Sequence, residues 1–496
     1  MEYYFSLAFI IEYVRVVGLD EDLLSYALDY GSKLGVEYIE ARYHKLSAIS
    51  LVSRNGSLLG TGGGVFEGVA VRILYKGALG FSSTNILNRE NIRETVETAF
   101  KHAKAHSKLM KRPITFADSK MGRAKYEIVP QKPFENMNIE DKIKTLEDLW
   151  GLVKDAVKEA KIPVFFVSYE ESLEEKTVMN SDGAFVSSKV PRVKIDYNLV
   201  VMHPQKGTVQ RFFTHGASGG LEWIKEWDLQ ENIPDEARTY EKVLLEGKKP
   251  PEEPVDIIVG SEIVGLIVHE SCGHPSEADR ILGREAAQAG KSFIKPDMIG
   301  QKIGNELATV IDDPTIPKSE GFYLYDEEGV PARARYLYKE GRINEFLHNR
   351  WTASIFEVES NGAARASNFT GEPIIRMANT YFKPGDHGFE ELLEDIKYGV
   401  YMKSYMEWNI DDERWSQRYV GLEAYLIENG DLKGFVRNPA LEITTKSFYS
   451  KVDAADKNLK FYSGLCGKGE PAQGVPVWFG GPNVRLRGIK LRVVAR

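Results

Sequence analysis

The amino-terminal half of the chain combines helical periodicity with strand-like alternation. Apolar residues recur at helical spacing in three segments, which predict helices over residues 20–35, 90–110 and 139–161. Strand-like runs over residues 36–52 and 65–79 follow the first helix. Asn55 and Gly56, and later Asp182 and Gly183, are typical hairpin turns. A helix followed by hairpins therefore occurs twice, which is an α+β pattern.

The composition changes sharply at residues 248–254, which read Lys-Lys-Pro-Pro-Glu-Glu-Pro and are neither helical nor strand-like. Beyond this linker, turn signals separate short alternating segments, as in a β-rich domain with few helices. We predict an N-terminal extension at 1–18, an N-terminal α/β domain of helices and hairpins at 19–247, and a β-rich C-terminal domain at 255–496. A division of the N-terminal domain into subdomains at about 19–112 and 125–247 is left open.

The C-terminal domain begins with a strand and then a segment, residues 261–273, that is apolar on all sides and predicts a buried helix. This segment ends in His269-Glu270-Ser271-Cys272-Gly273-His274-Pro275. Two imidazoles and a carboxylate at the end of a buried helix are unusual, because such positions are ordinarily apolar. The sequence therefore places its candidate chemistry here.

The spacing of the two histidines differs from the zinc-protease motif H-E-x-x-H by one additional residue. On a regular helix His269 and His274 would lie about 140° apart, so both can reach one metal only if the helix ends or widens between them. Gly273 and Pro275 favour an ending. In that interpretation glycine takes a left-handed cap and His274 turns back towards His269.

A catalytic zinc site commonly uses three protein ligands, so two histidines are not sufficient. The chain has two cysteines, Cys272 and Cys466. Cys272 lies between the histidines and is expected to point away from a metal. Cys466 lies between glycines in a predicted loop, where Lys468 would favour the thiolate. The alternative is a purely structural pair of histidines at a helix end.

Composition narrows the remaining function classes. The 496 residues include 64 basic and 72 acidic side chains, and the net charge of −8 disfavours nucleic acid and anionic membranes as partners. Two cysteines are too few for a disulfide framework and suggest a reducing compartment, so we expect a cytoplasmic protein. The apolar start of the chain is interrupted by Glu12 far short of a membrane span, and we expect it to pack on the body of the protein.

From about residue 19 to residue 496 the chain resembles the TldD/PmbA family of metallopeptidases. The most specific segments are residues 265–274, the run Arg376-Met377-Ala378-Asn379-Thr380, and Cys466-Gly467-Lys468. The resemblance implies that His269, His274 and Cys466 bind one zinc ion per chain and that Glu270 is the catalytic carboxylate. Since PmbA-type members lack these residues, the chain resembles the active TldD type.

The resemblance also implies what the protein acts on and assembles with. Family members of this type form homodimers, or heterodimers with an inactive PmbA-like paralogue, and degrade unfolded or short peptides non-specifically. The predicted function is therefore zinc-dependent peptide hydrolysis by metal-activated water, with Glu270 as the general base. The alternative is a non-catalytic subunit that binds peptides or a partner protein.

Overall fold

The computed structural model describes residues 19–493. It is a mixture of helices and strands with a β-rich carboxyl-terminal part, so the predicted α+β fold is confirmed. The predicted extension at residues 1–18, and its packing on the body, lie outside the described residues. Between residues 19 and 493, no helix has both the length and the apolar character that crossing a membrane requires.

The three predicted helices are present and are fixed by ordinary helix signals. Asn88 and Asn138 accept a hydrogen bond from the backbone N–H three positions later, which caps the second and third helices. The third helix is shorter than predicted: it ends at Ala156, and residue 161 is the first residue of a strand. The helices are α1 (Leu19–Ser32), α2 (Arg89–His106), α3 (Ile139–Ala156), α4 (Glu222–Glu226), α5 (Leu229–Glu246), α6 (Ser261–Val268), α7 (Ala278–Ile281), α8 (Arg350–Phe356), α9 (Phe389–Glu394) and α10 (Thr445–Lys451).

One sheet runs through the whole amino-terminal part. Its order is β3-β2-β1-β5-β6-β4, and β7 also pairs with β6. The predicted turn at Asn55 and Gly56 joins the first two strands, with both residues at positive φ as that hairpin type requires. The strands are β1 (Tyr38–Arg54), β2 (Ser57–Tyr75), β3 (Ala78–Thr84), β4 (Arg123–Glu127), β5 (Lys161–Asn180), β6 (Phe185–His203) and β7 (Gly207–Ser218).

The carboxyl-terminal part contains two six-stranded sheets, ordered β11-β10-β9-β14-β23-β22 and β19-β18-β15-β8-β24-β21. A four-stranded sheet, β16-β17-β20-β25, and the pair β12-β13 complete it. The strands are β8 (Val255–Val259), β9 (Val310–Asp312), β10 (Arg335–Lys339), β11 (Arg342–Ile343), β12 (Ala364–Arg365), β13 (Ile374–Ile375), β14 (Asn379–Phe382), β15 (Tyr398–Met402), β16 (Tyr405–Ile410), β17 (Ser416–Gly421), β18 (Ala424–Glu428), β19 (Asp431–Phe435), β20 (Pro439–Thr444), β21 (Val452–Ala455), β22 (Lys460–Lys468), β23 (Gln473–Gly481), β24 (Val484–Ile489) and β25 (Arg492–Val493).

Helix α6 lies at the centre of this part, and every one of its residues is buried. It approaches β23 so closely that a Cβ atom on Gly265 would lie 2.7 Å from the backbone nitrogen of Gly480. Because glycine removes this steric barrier, the helix is held directly against the β22–β23 hairpin. The carboxyl end of α6, with its histidines, therefore meets the strand that carries Cys466.

The amino-terminal sheet is attached to this centre by buried ion pairs. Arg211 on β7 donates two hydrogen bonds to the carboxylate of Glu262 on α6, at 2.8 and 2.9 Å. Arg72 on β2 bonds Glu328 at 2.8 Å. Buried charges need such partners, so these contacts hold the amino-terminal sheet against α6 and against the turn that carries Glu328.

Candidate metal centre

The helix widens after Val268 and does not end there. The backbone N–H of His274 donates to the carbonyl oxygen of His269, five residues earlier, which is the hydrogen bond of a π-type turn. Such a turn brings positions i and i+5 to one side of the helix. Of the two options that the spacing allowed, the structure therefore uses the widening.

The reason for Gly273 also differs from the prediction. Its φ is −59°, so the expected left-handed cap is wrong. A Cβ atom at this position would instead lie 1.9 Å from the sulfur of Met377. Gly273 is therefore needed because the widened turn is packed against Met377, next to Arg376 in the segment singled out in the sequence.

The structure brings together all three residues that the family resemblance implied as ligands. The ligand atoms of His269, His274 and Cys466 lie within 4.8 Å of one another, and all three residues are buried. Cys466 Sγ lies 3.5 Å from Nε2 of His274. Cys466 lies on strand β22 and not in the predicted loop. Among residues 19–493, this is the cluster of His, Cys, Asp and Glu whose ligand atoms converge in this way.

The electrostatics of the cluster favour its metal-binding protonation states. Burial lowers the pKa of both His269 and His274, which keeps the imidazoles neutral. Burial on its own raises the pKa of the Cys466 thiol, but His274 and Arg376 outweigh it, so the pKa is below its ordinary value. Two neutral imidazoles and a thiol that ionises readily are the donors that zinc prefers.

One further observation fits a metal ion at this place. The Nδ1 atom of His269 is buried and has no hydrogen-bond partner among the described residues. Buried polar atoms are ordinarily satisfied, so an orphaned ring nitrogen within a ligand cluster requires an explanation. The donor set and this unsatisfied atom together fit zinc.

The predicted role of Lys468 is wrong. Its ammonium group does not serve the thiolate but donates to Asp279 at 2.8 and 2.9 Å and lies 3.6 Å from Glu277. Glu277 is fully buried and its Oε2 lies 3.1 Å from Nδ1 of His274. Burial raises the pKa of Glu277, but Lys468, Arg280 and His274 outweigh it, so the pKa lies well below its usual range.

Glu277 is thus a carboxylate that accepts the Nδ1 proton of His274. This contact fixes the imidazole tautomer and leaves Nε2, the atom facing Cys466, available to a metal. The sequence analysis missed Glu277, although it follows His274 by three positions and the spacing is a usable signal.

Glu270 lies between the histidines in sequence and borders a cavity of about 540 Å³. Its carboxylate is ion-paired with the guanidinium of Arg414, a residue that the sequence analysis also missed. Both residues line the cavity, as do all three candidate ligands. The cavity continues to β6 and β7, where its lining residues are Lys194, Asp196, Phe212, Phe213 and Thr214.

Other residues considered in the sequence serve the fold. Arg376 donates to the carbonyl oxygens of Cys466 and Gln473, at 2.5 and 2.9 Å, and so positions the β22–β23 hairpin. Asn379 donates to Asp313 and Ser319. Cys272 is completely buried in the main core, outside the ligand cluster.

Comparison with known proteins identifies the kind of protein that carries this centre. Three family models match, described as PmbA/TldA metallopeptidase domain 1 at residues 39–103, the central domain at 132–245 and the C-terminal domain at 252–492. A metalloprotease of Methanocaldococcus jannaschii is 32% identical over 451 residues, covering 90% of this chain and 96% of that protein. The chain belongs to the PmbA/TldD metallopeptidase family.

More distant relatives agree with this placement in the PmbA/TldD family. A zinc metalloprotease TldD homologue of Saccharolobus solfataricus is 25% identical over 464 residues, covering 92% of this chain and 97% of that protein. The crystal structure of TldE from Thermococcus kodakarensis has the same fold, with a TM-score of 0.73 at 17% identity, and the match covers 96% of this chain and 100% of that one. The predicted metalloprotease class is confirmed by the family and by the two relatives named as metalloproteases.

Proposed function

We propose that the chain is a zinc-dependent peptidase that hydrolyses unfolded or short peptides, with Glu270 as the general base. The observation that carries the proposal is the convergence of His269, His274 and Cys466 beside the Glu270 carboxylate in one cavity. A zinc ion, when bound, supplies Lewis acidity that polarises a peptide carbonyl and makes water a stronger acid. The metal would be held by the three buried side chains, one ion per chain.

The protein residues then have separate tasks. Glu270 accepts a proton from the attacking water and passes it to the amine that leaves when the peptide C–N bond breaks. Glu277 holds the imidazole of His274 through Nδ1. Because the three candidate ligands are buried, the electrostatic contacts among them are stronger than they would be in bulk water.

The shape of the cavity supports an extended peptide as substrate. Strand β7 is hydrogen-bonded to β6 on one side, and β22 is hydrogen-bonded to β23 on one side. Residues from both of these edge strands, including Thr214 and Ser463, line the cavity. An extended chain that pairs with a strand edge is recognised mainly through its backbone, so such a site would accept many unfolded sequences.

The experiment is to measure the metal content and peptide cleavage of the wild type and of three variants. We expect about one zinc per wild-type chain, its loss in Cys466→Ser, and full zinc without cleavage in Glu270→Gln. The other cysteine provides a matched control, because Cys272→Ser removes a buried thiol outside the cluster and should keep both zinc and activity. Full zinc content in Cys466→Ser, equal to that of Cys272→Ser, would refute the ligand set.

The same measurements separate the peptidase from the alternative function. A protein that binds unfolded peptides but takes up no zinc, even when zinc is offered, would be a non-catalytic binding subunit. Full zinc with unimpaired cleavage in Glu270→Gln would leave a peptidase but remove Glu270 as its base.

We also propose that the protein acts in the cytoplasm as a homodimer or as a heterodimer with an inactive PmbA-like paralogue. Both described cysteines are free thiols, which suits a reducing compartment. The shared fold with TldE supports a related chain as partner. Light scattering of the purified chain, alone and mixed with such a paralogue, distinguishes the two assemblies.

A further inference from the structure

The turn between β16 and β17 presents a single charged side chain to the cavity. Arg414 lies in this turn with a φ of +67°, in the left-handed region that residues other than glycine avoid. Its backbone N–H donates to the carbonyl oxygen of Asp411 at 3.1 Å, and its own carbonyl oxygen accepts from the Thr445 hydroxyl at 2.8 Å. The residue is therefore held in an unfavourable conformation from both sides.

The side chain of Asp411 completes the turn. Its two carboxylate oxygens accept the backbone N–H groups of Trp415 and Ser416, each at 2.8 Å. Strained residues persist only where their surroundings determine them, and they are concentrated at functional sites. The turn is thus built so that residue 414 keeps this conformation.

In this conformation the Arg414 guanidinium contacts Glu270 and the Ala289 carbonyl oxygen. Its Nη1 atom bonds Oε2 of Glu270, and Nη2 lies 3.3 Å from the carbonyl oxygen of Ala289. Among residues 19–493, Arg414 is the residue that hydrogen-bonds the Glu270 carboxylate. Both side chains are about nine-tenths buried, so the contact is shielded from water.

We infer that Arg414 is a positioning residue for peptide hydrolysis, which fixes Glu270 through Oε2 and leaves Oε1 to accept the proton of water. This inference rests on the proposed function. A planar guanidinium suits the task because it bridges Glu270 and the Ala289 carbonyl in one fixed plane, whereas a lysine ammonium is a point charge on a flexible stem. Arg414 acts on the reaction through Glu270 and needs no contact with substrate.

The decisive variant is Arg414→Gly, because glycine adopts a positive φ without strain and so preserves the turn. We expect kcat for an unstructured fluorogenic decapeptide to fall by about 100-fold, the scale of a general base's contribution, with KM and zinc content unchanged. Millimolar guanidinium chloride should restore part of kcat, because the free ion can occupy the vacated place. It should not restore Glu270→Gln.

Lys318→Gly is the matched control, since Lys318 is also a cationic residue at positive φ, 63°, but does not line the cavity. It should keep wild-type kcat and show no response to guanidinium. Wild-type kcat in Arg414→Gly, or a loss that guanidinium leaves unchanged while zinc is fully bound, would overturn the inference.

A second measurement does not depend on activity. In metal-free protein, Arg414→Gly should lower the thermal unfolding midpoint of the wild type, because it leaves the buried Glu270 carboxylate without its partner. In the Glu270→Gln background the same substitution should have little effect, because that carboxylate charge is absent. Equal shifts in the two backgrounds would mean that the residues are not coupled. If the zinc-loaded wild type cleaves no peptide, the proposed function fails, but the unfolding midpoints of the single and double variants still test the contact between Arg414 and Glu270.

Discussion

The Oε2 atom of Glu277 lies 3.1 Å from Nδ1 of His274, and Glu277 also contacts Arg280 at 3.0 Å. A buried carboxylate thus contacts one imidazole of the candidate metal centre, at the ring nitrogen that faces away from Cys466. Such a contact orients a histidine ligand and increases its basicity. The same carboxylate connects the histidine to the buried charges of α7 and β22.

Glu277→Gln is predicted to weaken zinc binding by about tenfold, because the amide keeps the shape of the side chain but loses the charge that supports the imidazole. Competition with a fluorescent zinc chelator measures the affinity directly. Glu171→Gln is the control, since Glu171 is a buried carboxylate that pairs with Lys142 and does not line the cavity. Equal zinc affinity in the wild type and Glu277→Gln would show that the contact has no role in metal binding.

Local sequence signals predict parts of the fold, including the helix that leads to the candidate metal centre. The hairpin at Asn55 and Gly56 and the buried helix before His269 follow from turn chemistry and from hydrophobic pattern, which act within a few residues. The histidine spacing likewise restricts the helix to an ending or a widening. The close packing of Gly273 against Met377, about a hundred positions away, follows from no local rule.

The contacts that complete the centre are non-local, and the sequence analysis missed or misassigned them. Arg414 meets Glu270 across 144 positions of the chain, and Lys468 meets Asp279 across 189. Lys468 was predicted to favour the thiolate of Cys466 because the two residues are close in sequence. A buried ammonium group instead pairs with carboxylates that the fold places beside it. Family resemblance supplied Cys466 because it compares whole chains.

Arg211 and Glu262 give a prediction about the junction between the amino-terminal sheet and α6. Arg211→Met leaves the buried Glu262 carboxylate without its partner and should lower the free energy of unfolding by about 3–5 kcal/mol. Adding Glu262→Gln should recover most of this loss, because the unpaired charge is removed. Urea unfolding of the single and double variants measures the coupling.

The control for this cycle is Arg333→Met, which removes an exposed arginine paired with Glu345. Exposed ion pairs contribute little, so a change below about 1 kcal/mol is expected. Additive effects of Arg211→Met and Glu262→Gln would contradict the prediction, since they would mean that the two residues stabilise the junction independently.

Glu320 gives a prediction about pH. Burial raises the pKa of Glu320 to about 7. The Ser463 hydroxyl, which donates to the carboxylate, acts in the opposite direction and lowers the pKa, but burial outweighs it. A raised carboxyl pKa means that the folded protein binds this proton more tightly than the unfolded chain does. The resulting stability is complete below the ordinary glutamate pKa and is lost as pH rises through about 7.

Glu320→Gln keeps a neutral side chain at every pH and should therefore be more stable than the wild type at pH 8, by about 2–3 kcal/mol. At pH 4.5 or below the two proteins should unfold at similar temperatures. Thermal unfolding of metal-free protein across this range checks the sign. Parallel curves for wild type and variant, with a constant difference at all pH values, would disprove it.

The lining of the cavity predicts which peptides are cut best. Its charged residues are already ion-paired: Lys194 Nζ lies 3.0 Å from Asp196, Glu262 is held by Arg211, and Glu270 by Arg414. A charged substrate side chain would have to compete with these pairs or lose its own hydration. The remaining lining is largely aromatic and aliphatic.

Trp408 and Phe212 are the exposed aromatic residues of this lining, 41% and 62% exposed. Because an apolar side chain of the substrate would cover them, peptides with Leu or Phe beside the scissile bond should be cleaved with higher kcat/KM than peptides with Glu or Lys there. Trp408→Ala should lower kcat/KM for the apolar peptide by about tenfold or more and leave the charged peptide nearly unchanged. Tyr398→Ala, which removes an aromatic residue with 42% exposure outside the cavity, should alter neither. Mass spectrometry of the cut sites in an unfolded protein independently counts the residues beside each cleaved bond. Cuts spread equally over apolar and charged positions would show that the cavity recognises the backbone alone.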